Sequence, residues 1–167
     1  MLSATDAAAL CRQLEEHGVG FWLIGGWGVD ALLHRQTRPH KDLDVRVRVA
    51  DLRSLRRMLD EHRFTRTLVW EESRWVDETD GPWPTAFVAT DPGGRDLDVH
   101  LLDVDADGRI IQLYDAPWPL PASLDGTGTI GGAVAPCVSA QTQRALHTGY
   151  DLPDGHRQDL ALLRDLN

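Results

Sequence analysis

Apolar residues that recur every three or four positions mark five segments of the chain as helices. In the first of them, Leu10 and Leu14 share the buried face and Gly18 is the expected stop. The predicted helices run from Ser3 or Thr5 to about His17, from near Trp27, from the Asp51 cap through Leu59, from the Ser139 cap to about His147, and from Asp154 through Leu163.

Other segments alternate apolar and polar residues, and this two-residue period predicts strands. The sequence Asp91-Pro92-Gly93-Gly94 is typical of a tight turn, so the segments on its two sides are expected to form a hairpin. The predicted strands are Phe21–Ile24, Leu43–Val49, Thr65–Trp70, Arg74–Val76, Thr85–Thr90, Asp96–Leu102 and Ile110–Leu113. The Pro- and Gly-rich stretch from Pro117 to Gly132 carries no predicted element.

The hairpin and the short strands after Arg63 predict a mixed β-sheet flanked by helices, which places the chain in the α+β class. A chain of 167 residues fits a single domain, because a domain of that size buries roughly 70% of its unfolded surface. We expect the core to span about residues 1–115 and a helical C-terminal segment to span about 136–167.

Two of the predicted strands carry carboxylates on the face opposite to their apolar residues. Asp42 and Asp44 share one face of the first strand. Asp96 and Asp98 share one face of the second, and His100 follows them. If the strands are neighbours, the carboxylates converge as a two-metal site requires, with the ions about 3.5–4 Å apart and Mg²⁺ the usual choice beside phosphate. The alternative is a pair of half-buried strands whose polar faces meet solvent.

A glycine pair, Gly25-Gly26, ends the strand-like run that starts at Phe21 and precedes a predicted helix. Without Cβ atoms, glycines let backbone N–H groups approach an anion, and the start of a helix adds partial positive charge. A triphosphate would fit there. The alternative is a tight turn that needs positive φ and binds nothing.

The combination of a glycine pair, Asp42-x-Asp44 and a later acid on a strand resembles the signature of the DNA polymerase β nucleotidyltransferase superfamily. Within it, the chain resembles the small antibiotic nucleotidyltransferases, the lincosamide enzymes above all and the aminoglycoside adenylyltransferases more distantly. The segments that carry this resemblance are Gly25 to Asp30, Thr37 to Asp44, Pro136 to Ser139, His147 to Leu152, and Asp159.

The resemblance implies a nucleotidyltransferase fold and a set of roles. Asp42 and Asp44 would hold two Mg²⁺ ions, and Asp98 would complete the site of the catalytic ion. The proton of the acceptor hydroxyl would pass to Asp98 or to water. Gly25 and Gly26 would bind the triphosphate of a nucleoside triphosphate, with ATP as the expected co-substrate.

Four basic residues lie between the glycines and the acids: Arg35, Arg38, His40 and Lys41. The resemblance falls on Arg38 and His40, which it implies as triphosphate ligands; the alternative is surface charges that balance the nearby carboxylates. Many superfamily members have Gly-Ser where this chain has Gly25-Gly26. A serine hydroxyl that could bind a phosphate is therefore absent, and backbone amides must bind it instead.

The segment 77–84 looks longer than in the shortest lincosamide enzymes and is expected to border the acceptor pocket. Four tryptophans lie in the half expected to shape that pocket, namely Trp70, Trp75, Trp83 and Trp118.

The net charge of −9 argues against a nucleic-acid partner and suits a cationic small molecule as the hydroxyl acceptor.

The two cysteines, Cys11 and Cys137, indicate buried, reduced thiols rather than a disulfide framework. The sequence contains no signal-like N-terminus and no apolar run of the ~18 residues that a membrane span needs, so a cytoplasmic location without membrane contact is expected. A homodimer is compatible with the sequence, which does not decide the oligomeric state.

Further interpretations remain open at this stage. An aminoglycoside adenylyltransferase and a toxin–antitoxin enzyme that modifies a protein share the same chemistry. Gly26-x-Gly28-x-x-Ala31 mimics a dinucleotide-binding motif of oxidoreductases, although such a fold needs a parallel sheet. Asp103 to Gly108 matches the start of a calcium loop, but Tyr114 stands where that loop needs a Glu, and the flanks read as strands.

Overall fold

The computed structural model describes residues 1–107, 110–113, 124–147 and 151–166. Predictions that concern Gly108, Tyr114, Trp118 and residues 148–150 fall outside the described residues. Residue 167 is also outside them.

The helices of the described ranges lie where the apolar spacing predicts them. They are α1 (Ala4–Glu16), α2 (Gly25–Leu32), α3 (Leu52–Glu61), α4 (Ala140–Leu146) and α5 (Asp154–Leu162), with short 3₁₀ turns at Val49–Asp51 and Leu163–Asp165. The hydroxyls of Ser3 and Ser139 cap α1 and α4, as predicted. Asp51 precedes α3, but its predicted capping role is wrong, because its carboxylate makes no cap bond and accepts from Arg48 Nε at 3.3 Å.

Most strands form one mixed sheet, which confirms the predicted fold class. The strands are β1 (Phe21–Leu23), β2 (Asp42–Arg48), β3 (Thr65–Val69), β4 (Trp75–Val76), β5 (Trp83–Pro84), β6 (Ala86–Thr90), β7 (Asp96–Val104), β8 (Ile110–Gln112), β9 (Gly126–Ile130) and β10 (Ala133–Cys137). The order in the sheet is β3-β6-β7-β2-β1-β10-β9, with β8 beside β7, while β4 and β5 pair separately. The pairs β2–β7 and β1–β10 are parallel, and the other pairs are antiparallel.

The core lies on one face of this sheet. Leu43, Val45 and Val47 of β2 are fully buried with apolar residues of α1 and α3. Because strand residues alternate between faces, the polar residues of β2 and β7 must lie on the opposite face. The carboxylates that were predicted to be functional therefore lie on strands whose other side is anchored in the core.

The hairpin formed by β9 and β10 was not predicted, since its Gly- and Pro-rich sequence hides the alternation. Gly131 and Gly132 form its turn with φ of 56° and 83°, values that the favoured two-residue hairpin turn requires and glycine adopts freely. Leu23 of β1 pairs with Cys137 of β10, so this hairpin extends the sheet. The sheet therefore continues beyond residue 115, and the first C-terminal helix begins at Ala140.

The predicted state of the cysteines is confirmed, because Cys11 and Cys137 are buried and unbridged. Burial raises the pKa of Cys11 to about 12 and that of Cys137 to about 11. Within the described ranges, no helix has the length and apolar character needed to cross a membrane.

Candidate active site

The parallel pairing of β2 and β7 brings the predicted carboxylates together. In this register Asp44 lies opposite Asp98, and Asp42 lies opposite Asp96. Neighbouring strands are about 4.8 Å apart, so these side chains share one small area of the sheet. The two strands are neighbours, which is the condition that convergence of the carboxylates requires.

Burial and mutual repulsion disfavour the charged forms of two of these acids. Burial, followed by the charge of Asp98, raises the pKa of Asp42. Burial, followed by the charges of Asp42 and Asp98, raises the pKa of Asp44 well above its usual range. A cluster of this kind favours a bound cation, because a cation offsets both effects.

A cavity of about 680 Å³ lies over this face of the sheet. The predicted site residues all line it: Gly25, Gly26, Arg38, His40, Asp42, Asp44 and Asp98. Of the secondary candidates, Lys41 also lines it, whereas Arg35 does not. Lining residues that sequence reasoning missed are Arg46, Glu72, His100, Leu146, Pro153 and His156.

The glycine pair forms the first two residues of α2, rather than preceding a helix that starts near Trp27 as predicted. Gly25 has φ of 60°, and a Cβ at this position would collide with the Asp44 carboxylate. A Cβ at Gly26 would collide with the imidazole of His40. The preceding residue, Ile24, provides no side-chain cap. Backbone N–H groups at this helix start therefore border the cavity beside the carboxylates, as an anion site requires.

His40 is fixed behind the glycines by a buried carboxylate. Its Nε2 lies 2.5 Å from Oδ2 of Asp30, and its ring packs on Trp27 with centroids 4.7 Å apart. Asp30 also accepts hydrogen bonds from the backbone N–H of Thr37 at 3.0 Å and from its hydroxyl. Both His40 and Asp30 are almost fully buried. The side chain of His40 is thus held in one orientation, with its other nitrogen toward Gly26.

Arg38 is held by a second buried carboxylate, which comes from α5. Its Nε and Nη2 donate to the two oxygens of Asp159 at 3.1 and 2.6 Å. The hydrogen bond to Asp159 raises the pKa of Arg38 above its already high usual value. Since Asp159 is completely buried and Arg38 is not, the guanidinium is anchored at the cavity edge next to Gly26.

Asp98 is oriented by neighbours that sequence reasoning did not assign to it. The indole Nε1 of Trp70 donates to its Oδ1 at 2.9 Å, and Nε2 of His100 lies 3.3 Å from the same oxygen. Asp96 differs: its Oδ1 accepts from the hydroxyl of Thr90 at 2.6 Å, and it does not line the cavity.

Helices α4 and α5 supply the opposite wall of the cavity through Leu146, His147, Pro153 and His156. Nδ1 of His147 lies 2.7 Å from the carbonyl oxygen of Gln143, which a protonated Nδ1 satisfies. The rings of His147 and His156 meet edge to face at 4.9 Å. Burial, followed by repulsion from His147, lowers the pKa of His156. The His156 imidazole, whose neutral form is favoured, suits contact with a flat or apolar ligand group.

The segment 77–84 does not border this cavity, so its predicted position is wrong. Arg56 of α3 holds the segment instead, with Nη1 3.9 Å from Glu78 and Nη2 3.3 Å from Asp80. The guanidinium also lies over the ring of Trp83 at 4.6 Å. Trp75 is largely exposed, which leaves Trp70 as the described member of the predicted tryptophan set that lines the cavity.

Within the part of the chain that the structure describes, no three acidic, imidazole or thiol groups form a closed metal-binding cluster. The carboxylate of Asp44 lies against Gly25, and that of Asp98 is held by Trp70. Asp44 and Asp98 lie opposite each other on neighbouring strands. The donor set itself, carboxylate oxygens in a partly buried site, is the one that Mg²⁺ prefers.

A second cavity, of about 550 Å³, lies beside the Asp91–Gly94 turn. It is lined by Met1, Asp6, Asp91 and Arg95 among others, and Arg95 is paired there with Asp91 at 2.6 Å. None of the three clustered carboxylates faces it. The larger cavity is therefore the candidate active site.

Known proteins resemble the chain over most of its length. The sequence profile of the family described as aminoglycoside-2''-adenylyltransferase matches residues 7–163. The chain is 26% identical over 163 residues to a lincosamide resistance protein of Staphylococcus haemolyticus, covering 92% of this chain and 90% of that protein.

Two solved structures show the same fold. One is the lincosamide antibiotic adenylyltransferase LnuA bound to lincomycin, with a TM-score of 0.73, 21% identity and 99% of each chain covered. The other is the antibiotic-resistance factor ANT(2'')-Ia, with a TM-score of 0.71, 20% identity, and 97% of this chain and 84% of that one covered.

Proposed function

Since the chain belongs to the aminoglycoside-2''-adenylyltransferase family and is a nucleotidyltransferase, we propose that it transfers a nucleoside monophosphate to a hydroxyl of a lincosamide. The donor is a nucleoside triphosphate, with ATP expected, and the reaction depends on Mg²⁺ and releases pyrophosphate. The observation that carries this proposal is the register of β2 and β7, which places Asp42, Asp44 and Asp98 together beside the glycine start of α2.

The triphosphate binds at the start of α2 in this proposal. The N–H groups of Gly25 and Gly26 point to its oxygens, and the helix dipole favours its negative charge. Arg38 adds a positive charge at the same edge, held in place by Asp159. His40 was predicted as a triphosphate ligand, but its ring is buried and fixed by Asp30, so we assign it the support of the glycine backbone instead.

Asp42, Asp44 and Asp98 are the residues that would hold two Mg²⁺ ions. When bound, the ions neutralise the phosphate oxygens and stabilise the attacking and leaving oxygens. The raised pKa values of Asp42 and Asp44 support this role, since they reflect burial and the nearby negative charges, and a bound cation offsets both.

The acceptor hydroxyl gives its proton to Asp98 as its oxygen attacks the α-phosphorus. The new bond joins that oxygen to phosphorus, and the bond to the β-phosphate oxygen breaks, so that pyrophosphate leaves. Trp70 and His100 hold Oδ1 of Asp98, which directs the other oxygen toward the acceptor. Proton removal matters because a neutral sugar hydroxyl is a poor nucleophile.

The lincosamide acceptor is supported by the curated relative and by the cavity wall. Among the described lining residues, Glu72 is the sole acid besides the three assigned to the ions. Lincosamides carry one amine and an apolar part, whereas aminoglycosides carry several amines and suit a more acidic pocket.

An aminoglycoside acceptor is the second candidate, and the description of the matching family favours it.

The acceptor is tested by incubating purified protein with Mg²⁺, mixed nucleoside triphosphates and a panel of lincosamides and aminoglycosides. The product masses are measured by mass spectrometry. Lincomycin or clindamycin is expected to gain a nucleoside monophosphate, with aminoglycosides poorer. Kanamycin or tobramycin modified while lincomycin stays untouched would overturn the acceptor but not the chemistry. A modified co-purifying protein, with both antibiotic classes unchanged, would favour a toxin–antitoxin enzyme.

A further inference from the structure

The turn between β3 and β4, residues 70–73, contributes Trp70 and Glu72 to the active-site cavity. We propose that Glu72 binds a protonated amine of the acceptor, and that Trp70 holds the turn in the position this requires. The inference rests on the proposed function, because it names the part of that site which recognises the second substrate.

The order of the sheet divides the cavity into two sides. Gly25, Gly26 and Arg38 lie on the side of β1 and the C-terminal helices. Asp98 and the 70–73 turn lie on the side of β7, β6 and β3. In an in-line displacement the attacking oxygen and the leaving pyrophosphate stand on opposite sides of the phosphorus. With the triphosphate at the glycines, the acceptor must lie over the 70–73 turn.

The turn is rigid enough to serve as a recognition element. The indole of Trp70 donates to Asp98, and its backbone N–H donates to the carbonyl of Ala86 at 3.1 Å. The hydroxyl oxygen of Ser73 accepts from the N–H groups of Thr85 at 3.0 Å and Ala86 at 3.1 Å. Because these bonds fix both ends of the turn, little conformational entropy is lost when it binds a ligand.

Glu72 is half-buried, and within the described ranges it takes part in no ion pair and no hydrogen bond. Among the cationic side chains that line the cavity, Arg38 is already paired with Asp159. A carboxylate in a cleft attracts a cationic group more strongly than an exposed one, since less solvent screens it. The ligand class is therefore a small molecule that carries a hydroxyl and a protonated amine.

Steady-state kinetics of the parent, Glu72→Gln and Glu71→Gln proteins test this, with the acceptor that the parent modifies. Glu71 is the matched control, because it is exposed and lies on the same turn. For Glu72→Gln the KM for the acceptor should rise by about tenfold or more, as expected for loss of a partly buried charge pair, with kcat changed by less than about threefold. The KM for the nucleotide should stay constant, and Glu71→Gln should match the parent. Calorimetric titration of acceptor into each protein should show the same order of affinities without turnover.

A neutral, N-acetylated acceptor gives the decisive comparison. The parent should bind the N-acetylated acceptor more weakly than the acceptor with a free amine. The factor should be about the same as the rise in KM that Glu72→Gln causes, and Glu72→Gln should no longer distinguish the two acceptors. Glu72→Asp should recover part of the discrimination, which shows that charge rather than folding is responsible.

Failure of the inference can be distinguished from failure of the proposed function. If the parent modifies an acceptor but Glu72→Gln keeps its KM within about twofold, or Glu71→Gln loses as much, the inference is wrong while the proposed function stands. If the parent modifies no small molecule, the proposed function is wrong and the inference falls with it.

Discussion

Arg38 and Asp159 form a two-bond ion pair across 121 positions of the chain, with Nη2 to Oδ2 at 2.6 Å. The pair ties α5 to the segment before β2. It therefore links the stability of the C-terminal helices to the position of a cation next to the glycine start of α2.

Asp159→Asn should both destabilise the fold and weaken nucleotide binding. Asparagine leaves Arg38 without its charged partner, and the loss should amount to about 2 kcal/mol, as for a hydrogen bond to a charged group. Urea denaturation measures the stability, and the KM for the nucleotide should rise while that for the acceptor does not. Asp154→Asn on the same helix is the control, because Asp154 is exposed and pairs with Arg157 at the surface. Equal effects of the two changes would contradict the linking role of the buried pair.

Asp98→Asn should lower kcat by about 10²–10⁴-fold, the range for loss of a general base. The same change at Asp96 should cost far less, because Asp96 is bonded to Thr90 and lies outside the cavity. Pyrophosphate release under saturating substrates measures both. A larger loss for Asp96→Asn would mean that the acid on β7 has been misassigned.

The Asp91–Gly94 turn provides a pH-dependent test of stability. Asp91 accepts from the N–H groups of Gly93 and Arg95 at 2.8 and 2.9 Å and from Nε of Arg95 at 2.7 Å. Burial acts to raise the pKa of Asp91, but the hydrogen bonds and charge of Arg95 outweigh it and place the pKa below its usual value.

A lowered folded-state pKa means that Asp91 stabilises the fold above its unfolded pKa of about 3.9, and that this contribution fades as the pH falls through the folded value. Asp91→Asn should therefore cost about 1–2 kcal/mol near neutral pH, and the difference from the parent should shrink in strong acid. Urea denaturation across pH measures it. Asp60→Asn, at an exposed position on α3, should stay within about 0.5 kcal/mol of the parent. A pH-independent deficit for Asp91→Asn would rule out the ionic origin.

Local patterns were enough to predict the elements that carry the chemistry. Alternation in β2 and β7 assigns Asp42, Asp44 and Asp98 to polar faces, and the turn chemistry of 91–94 predicts the hairpin before β7. Periodicity contains no information on which strands pair, so the adjacency of β2 and β7 could be stated only as a condition. The β9–β10 hairpin escaped because its glycines remove the apolar alternation that marks a strand.

The supporting partners of the site could not be predicted for a related reason. Asp30 lies on α2 and His40 in the segment before β2, and no spacing rule joins them. The indole of Trp70 reaches Asp98 only because β3, β6 and β7 are neighbours in the sheet. Such contacts follow from the tertiary fold. Trp70 in a sequence is equally typical of ordinary core packing.

Asp44→Asn tests the role of the carboxylate cluster most directly. Burial, followed by repulsion from Asp42 and Asp98, holds the pKa of Asp44 well above its usual range. Removing the charge of Asp44 therefore relieves an unfavourable interaction in the metal-free protein, while it removes a proposed ligand for Mg²⁺. Pyrophosphate release and thermal melting are measured side by side on the parent and the variant, with Mg²⁺ and nucleoside triphosphate in the activity assay. We expect transfer to be abolished while the melting temperature of the protein alone stays the same or rises slightly. Activity within about tenfold of the parent would contradict metal-dependent nucleotidyl transfer at this cluster.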